Sequence, residues 1–315
     1  MEQTFFDPAL QPFAPLQDVP ADIPHGDMPG DKVHIGPEHI AKANAVLPRL
    51  LPLLREALAA SAHGRAVVTV CGGSGVGKSE LASLLSYALA QRGVGSYTLS
   101  GDNYPRRIPQ YNDAERVRVF RTGGVRGLIA HGAYSAETAA QLRALWADES
   151  DPDPALTAQH PWLAVYQSEG RKALKGYLGT PAEQDFAELG DIVTQFQNGA
   201  ERLWLKRMGR TDTELWYDSV DFAAVRVLVI EWTHGNSDWY PGADIPVFLN
   251  STPQETAAYR RLRSRDGKTD SPFTTMVLQL EQQLLDAQAH KAKLIVSKSG
   301  EILSYAEYRA LMARQ

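Results

Sequence analysis

A complete phosphate-loop motif, G-x-x-x-x-G-K-[ST], occupies residues 72–79 of the chain. Glycines let successive backbone N–H groups turn toward phosphates, Lys78 can reach the β and γ oxygens, and Ser79 can offer its hydroxyl to Mg²⁺. The motif predicts a nucleoside triphosphate site with ATP and Mg²⁺ as cofactors. Its residues are Gly72, Gly73, Ser74, Gly75, Val76, Gly77, Lys78 and Ser79.

Two carboxylates follow other apolar stretches that read as strands. Asp102 comes shortly after residues 95–100, and Glu231 directly follows the apolar run 225–230. Ligands of open parallel sheets gather beyond the carboxyl ends of the strands, so we expect both carboxylates near the loop. Asp102 is a candidate for the base that accepts a hydroxyl proton, and Glu231 is a candidate Mg²⁺ ligand. The structural alternatives are a turn aspartate at 102 and a helix cap or ion pair at 231.

Arginines are concentrated in two segments. Residues 259–268 hold four arginines and one lysine, a composition that favours a multivalent anion such as a transferring phosphoryl group. A solvated helix face paired with acids is the alternative. The second group follows Asp102 and favours an anionic or sugar-like acceptor, with Arg107 assigned to the acceptor site. Its members are Arg106, Arg107, Arg116, Arg118 and Arg121.

A tyrosine and an aspartate precede the strand that ends at Glu231. Tyr217 and Asp218 could hydrogen-bond a polyhydroxylated acceptor, although packing plus a cap explains them equally well. His131 and His234 have no partner at metal-ligand spacing, and we interpret both as structural.

The elements that must position these residues alternate between strands and helices. Short apolar runs at 66–71, 95–100, 225–230, 246–249 and 293–296 are typical of strands buried on both faces. Helical spacing at 80–90, 253–265 and 272–289 separates several of them. The pattern predicts an α/β fold: a three-layer P-loop NTPase with a mostly parallel sheet of about five strands and a large helical insertion.

Composition shifts divide the chain into four parts. Residues 1–36 are proline-rich and predict an extended arm, to which we assign no chemistry. Residues 37–113 and 219–315 form the predicted kinase core, opened by a helix over 37–61 that contains two prolines. Residues 114–218 form a mostly helical insertion that serves as the acceptor and lid region, with a long helical stretch over 181–207.

Charge and hydrophobic content exclude several classes of function. The net charge of −5 gives no footprint for nucleic acid, and eighteen apolar residues never run together, so we expect no membrane partner. The single cysteine, Cys71, fits a reducing cytoplasm and a buried position. A small molecule is therefore the expected partner, and a homodimer is left open.

The order of the motifs resembles the phosphoribulokinase and uridine kinase family of phosphate-loop kinases. The matching segments lie within 64–110 and 214–298: the loop, Asp102 and Tyr104, Tyr217-Asp218, the strand closing at Glu231, and the stretch ending Arg265-Asp266. The resemblance implies transfer of the ATP γ-phosphoryl group to an alcohol of a nucleoside, sugar or related acid. It also implies Asp102 as base, Glu231 near the metal, Tyr104 at the acceptor, and Arg261 and Arg265 as lid groups.

Other functions remain open at this stage. Residues 99–103 also look like the Asp-Gly-Asp-Asn signature of adenylylsulfate kinases, with Ser100 in place of the first aspartate. Uridine kinases usually carry Gly after the strand-end Glu, where this chain has Trp232. A regulatory NTPase acting on a protein partner, or a nucleotide-binding module without catalysis, would share the phosphate loop.

Overall fold

The computed structural model describes residues 13–20, 22–252, 255–257 and 271–313. A six-stranded sheet carries the fold, and a separate two-stranded hairpin lies beside it. The strands are β1 (Ala66–Gly72), β2 (Ser96–Ser100), β3 (Arg202–Met208), β4 (Leu215–Asp221), β5 (Val227–Glu231), β6 (Ile245–Leu249), β7 (Leu294–Val296) and β8 (Ile302–Leu303). The helices are α1 (Pro37–Ala60), α2 (Lys78–Ala90), α3 (Pro109–Ala130), α4 (Ala136–Ala147), α5 (Leu163–Lys175), α6 (Phe186–Gln197), α7 (Pro272–Gln288) and α8 (Tyr305–Met312).

The main sheet has the strand order β2-β5-β1-β6-β7-β8. All its pairings are parallel except β7 with β8. Every residue of β1 and β5 is buried, as expected for strands covered on both faces. The prediction of a mostly parallel α/β sheet is confirmed, including its five strands. The two-residue strand β8 was not predicted because it is too short to show a period of two.

Alternate residues of β1 point into two different cores, which produces the three layers. Val68 and Val70 pack with α1 and α2 on one face, where Leu47 and Leu84 are fully buried. Val67 packs on the other face with residues of α6 and the hairpin. α1 runs without interruption through Pro48 and Pro52, so the predicted leading helix is confirmed.

The insertion differs from the prediction in the β3–β4 hairpin, which was not predicted. The predicted helix over 181–207 is wrong beyond α6, which ends at Gln197. Gly199 has φ +88, a left-handed conformation that ends the helix. β3 then begins, with Leu203 and Leu205 in the core and Trp204 exposed between them. This alternation is the period of a strand, which the preceding helical pattern obscured.

None of the helices in the described ranges is long and apolar enough to cross a membrane. Cys71 is buried, as predicted, and forms no disulfide. Of the predicted helix over 253–265, residues 255–257 are helical and the others lie outside the described part of the chain.

Candidate active site

The phosphate loop joins β1 to α2 at the carboxyl edge of the sheet. Gly75 and Gly77 have φ of +75 and +93, which side chains with a Cβ rarely adopt. α2 begins at Lys78, and the Lys78 Nζ donates a hydrogen bond to the Gly73 carbonyl at 3.0 Å. The first N–H groups of α2, its dipole and this ammonium together favour an anion in the loop.

Glu231 is held by hydroxyls from the two neighbouring segments. Ser79 Oγ donates to Glu231 Oε2 at 3.2 Å, and Ser100 Oγ donates to Glu231 Oε1 at 2.5 Å. A hydroxyl and a carboxylate are hard oxygen donors of the kind that Mg²⁺ takes together with substrate phosphates. Within the described ranges no group of three or more His, Cys, Asp or Glu side chains could hold a metal ion by itself. Ser79 and Glu231 therefore fit Mg²⁺ only as part of a metal–nucleotide complex.

Three charged groups act on one another at this edge of the sheet. Burial and, to a smaller extent, the charge of Asp102 raise the pKa of Glu231 to about 8, against the opposing effect of Lys78 and of the two serine hydrogen bonds. Glu231 is only 2% exposed, so its carboxylate is poorly solvated. A cation near Glu231 would favour the ionised carboxylate. The structure thus brings together Lys78, Ser79, Asp102 and Glu231, the four groups that the sequence placed at strand ends.

Asp102 is the solvent-facing member of this group. It lies in the one-turn 3-10 helix Gly101–Asn103 that follows β2, and it is exposed while its two neighbours are buried. The Asn103 side chain accepts from the Met208 N–H at 3.0 Å and donates to Asp27 Oδ1 at 3.0 Å. This anchoring holds the exposed Asp102 side chain on a fixed turn.

Trp232, the large residue that follows Glu231, has room for its side chain because residue 101 is glycine. A Cβ at position 101 would overlap the ring of Trp232, which is 1% exposed and packs at 5.1 Å from Phe186. Residue 101 must therefore be glycine for the large indole to fit under the turn that carries Asp102.

The predicted acceptor residues lie in different places. Tyr104 is fully buried in the core beneath Lys206, and burial raises its pKa, so the structure differs from the predicted acceptor contact. An aromatic side chain at this position gains more from packing than from exposure. Tyr217 and Asp218 lie on β4 of the hairpin. The Tyr217 hydroxyl donates to Glu188 at 2.6 Å, and Asp218 accepts from Arg207 at 3.1 Å.

The basic group after Asp102 is neutralised by carboxylates of the protein itself. Arg107, the predicted acceptor residue, also donates to the Tyr177 hydroxyl at 3.2 Å. The ion pairs are Arg106–Asp185 at 3.0 Å, Arg107–Glu115 at 3.7 Å, Arg116–Glu183 at 2.6 Å, Arg118–Glu115 at 2.6 Å and Arg121–Asp151 at 2.8 Å. Arg261 and Arg265, the predicted lid groups, lie outside the described residues.

His234 lies behind the loop as a buried, neutral histidine. Burial lowers its pKa to about 4, against an opposing effect of Glu183 and a smaller supporting effect of Arg116 and Lys78. Its ring packs edge-on against Trp232 at 5.4 Å. The interpretation of His234 as structural agrees with this packing.

Sequence reasoning missed two groups beside the site. Ser100 holds Glu231, and the parallel register that pairs Ser100 with Glu231 could have indicated this contact once β2 and β5 were known to be neighbours. Asp27 accepts from the Ser100 N–H at 2.8 Å. No sequence signal indicated Asp27, because it lies in the proline-rich arm, far from β2 in the chain.

A parallel sheet whose first strand runs into a complete phosphate loop and then a helix defines a P-loop nucleotide-binding fold. No protein-family model matches the chain. The chain is 36% identical over 242 residues to the bifunctional alpha-galactosidase/sucrose kinase AgaSK of Mediterraneibacter gnavus. This match covers 77% of the chain and 21% of the relative, so the chain spans about one fifth of that protein's length. The predicted resemblance to phosphate-loop kinases is confirmed by this relative.

Two solved structures of kinases are similar at lower identity. A possible uridine kinase from Bacillus stearothermophilus is 16% identical, with a TM-score of 0.36, and the match covers 72% of this chain and 93% of that one. D-glycerate 3-kinase from Cryptococcus neoformans var. grubii is 12% identical, with a TM-score of 0.47, covering 86% and 99%.

Proposed function

We propose that the chain is an ATP-dependent kinase that transfers the γ-phosphoryl group to a hydroxyl of a small metabolite. The exposed Asp102 carries this proposal, because it stands on a fixed turn beside Glu231 and Lys78. A carboxylate in that position can hold the proton of an attacking hydroxyl. The similarity to a protein named as a sucrose kinase supports the same reaction.

Each residue has a separate task in the proposed reaction. The loop amides and Lys78 bind the phosphates, and Ser79 and Glu231 would hold Mg²⁺. When bound, Mg²⁺ neutralises charge on the phosphate oxygens. Asp102 orients the acceptor hydroxyl and takes its proton. Catalysis then comes mainly from positioning and charge stabilisation, as in other phosphoryl transfers.

We propose a neutral polyhydroxylated acceptor, with sucrose as the first probe. The arginines that follow Asp102 could have bound an anion, but five of them pair with carboxylates at 2.6 to 3.7 Å. Binding an anionic acceptor would require one of these pairs to break. This observation disfavours adenylylsulfate, and the similarity to a protein named as a sucrose kinase points in the same direction.

The cytoplasm is the proposed location. ATP supplies the phosphoryl group there, and the reducing conditions suit the unpaired Cys71. The absence of a nucleic-acid partner remains a prediction from the sequence, and the choice between monomer and homodimer stays open.

A panel of acceptors tests the function. ADP release would be measured with Mg·ATP and sucrose, glucose, uridine, glycerate, or adenylylsulfate, each against a reaction without acceptor. We expect release that depends on a neutral sugar. Release that depends only on uridine or an anionic acceptor would contradict the acceptor class, and acceptor-independent hydrolysis would support the regulatory NTPase instead.

A further inference from the structure

The described part of the N-terminal arm, residues 13–20 and 22–36, is packed against the core of the main sheet. Phe13, Leu16 and Val19 lie against the core that contains α1 and α2, and Ile23 is buried within it. The Leu16 N–H and carbonyl bond to the Asn44 side chain at 2.7 and 2.9 Å. These two hydrogen bonds fix the arm to α1. The arm residues that follow Leu16 therefore have a defined position.

Asp27, in the same arm, lies at the end of β2. Its Oδ1 accepts from the Ser100 N–H at 2.8 Å and from Asn103 Nδ2 at 3.0 Å. Its Oδ2 accepts from the Tyr97 hydroxyl at 2.9 Å and from Arg207 Nη1 at 2.8 Å. The carboxylate is thus fully coordinated by four donors, and its side chain is only 9% exposed.

The backbone N–H groups on the outer side of β2 need a hydrogen-bond acceptor from outside the sheet. β2 is the edge strand of the main sheet, so an N–H on its outer side has no neighbouring strand. A buried N–H without a hydrogen-bond partner destabilises the folded state. Asp27 meets this need at Ser100, the last residue of β2 and the donor to Glu231.

Burial of the Asp27 carboxylate removes its solvation, which is unfavourable. Its four hydrogen-bond donors must offset this loss. Burial raises the pKa of Asp27, while the charge of Arg207 and the hydrogen bonds to Ser100 and Tyr97 lower it. Removing one partner of a buried charged group leaves that charge uncompensated and strongly destabilises the protein. The four donors are therefore held in one arrangement, as an interdependent network.

The arm also closes one side of the metal-site carboxylate. A Cβ added at Gly26 would lie 3.4 Å from Glu231 Oε1 and 3.7 Å from Ser100 Cβ. The arm backbone therefore lies directly against the pair formed by Ser100 and Glu231.

We propose that Asp27 is a positioning residue for phosphoryl transfer. It fixes the turn that carries Asp102 and, through Ser100, the orientation of Glu231. Through Arg207, which also pairs with Asp218 at 3.1 Å, it ties this turn to the β3–β4 hairpin. The inference rests on the proposed kinase function, and it assigns a role in turnover to a segment outside the sheet.

Two substitutions in the full-length chain test this role. Asp27→Ala removes all four hydrogen bonds, and Asp27→Asn is the milder variant if the alanine variant does not fold. Asp18→Asn is the matched control, since Asp18 is an exposed aspartate of the same arm. Initial rates with Mg·ATP and sucrose give kcat and KM for ATP, and hydrogen exchange is followed in peptides that cover 97–104 and 78–90.

We expect the Asp27 variants to lose about tenfold or more in kcat, with KM for ATP changed less than about threefold. Exchange should accelerate in 97–104 and stay as in the wild type in 78–90. A kcat per folded molecule within about twofold of the wild type, with only a lower unfolding temperature, would overturn the proposal. Unchanged exchange in 97–104 would also overturn it.

The two readouts separate this proposal from the proposed function. If the wild-type chain transfers no phosphoryl group to sucrose, the acceptor assignment fails, while the exchange comparison still shows whether Asp27 holds the turn. If the wild type is active and the Asp27 variants match it, the function stands and the positioning role fails.

Discussion

Ser79 and Glu231 lie 152 positions apart in the sequence, yet the Ser79 hydroxyl donates to Glu231 Oε2 at 3.2 Å. This contact joins the phosphate loop to the end of β5. Because β1 and β5 are neighbours in the sheet, with Val70 paired to Glu231, the contact follows from the strand order. A Mg²⁺ ion bound with nucleotide would have both oxygens available.

Substituting Glu231 tests the metal assignment. Glu231→Gln keeps the size and removes the charge, so we expect the Mg²⁺ concentration for half-maximal activity to rise about tenfold or more. A Mg²⁺ titration at saturating ATP measures this change. Glu56→Gln, on the exposed side of α1, is the control. An unchanged Mg²⁺ requirement in the Glu231 variant would remove Glu231 from the metal site.

Gly101 and Trp232 should be energetically coupled. Gly101→Ala forces a methyl group into the buried indole, and we expect it to lower the free energy of unfolding by about 1–3 kcal/mol. Adding Trp232→Leu makes room, so the double variant should lose less than the sum of the two single changes. Urea unfolding measures all three variants.

Gly190→Ala is the control for that series. A Cβ at Gly190 meets no atom within 4 Å, and the residue lies inside α6, so alanine should stabilise the protein by about 0.5–1 kcal/mol. Strict additivity of Gly101→Ala and Trp232→Leu would show that the two side chains do not compete for space.

His234 should make folding sensitive to acid. Its folded-state pKa of about 4 lies below its ordinary value of 6.5, chiefly because of burial. Between these values the unfolded chain binds a proton that the folded chain does not, so stability falls as the pH drops from 6.5 toward 4. The expected contribution is roughly 2–3 kcal/mol between pH 7 and 4.5.

Urea unfolding at pH 7 and 4.5 tests this dependence. His234→Gln should lose less stability on acidification than the wild type, and the difference between them reports His234 alone. His63→Gln, at an exposed histidine, should match the wild-type pH dependence. If His234→Gln and the wild type lose the same stability, His234 takes up its proton equally in both states.

Much of the fold was predictable because its signals are local. The continuous apolar runs fixed five buried strands, and the phosphate-loop motif located the first strand and its helix. The hairpin was missed because β3 follows α6 within a few residues, and seven residues give only a brief alternation. Leu203 and Leu205 pack into the core, and this packing makes their segment a strand. The contacts are with residues that are distant in the sequence.

The candidate site also contains residues that local sequence signals predicted and one that they could not predict. Lys78, Ser79, Asp102 and Glu231 follow from strand ends that must meet at one edge of the sheet. Asp27 could not be found in this way, since its contact with Ser100 spans 73 positions and depends on how the arm docks on α1. Tyr104 shows the opposite case, because the position for which the family resemblance implied an acceptor contact holds a side chain that is buried in the core.

The proposed reaction depends most on Asp102, and Asp102→Asn tests this role directly. The variant would be compared with the wild type and with Asp191→Asn, an exposed aspartate of α6, in ATP affinity by calorimetry and in transfer of labelled γ-phosphate to sucrose. We predict an ATP dissociation constant within about threefold of the wild type and a kcat lower by about 10²-fold or more. Turnover close to the wild-type value in Asp102→Asn would contradict the role of Asp102 as the base.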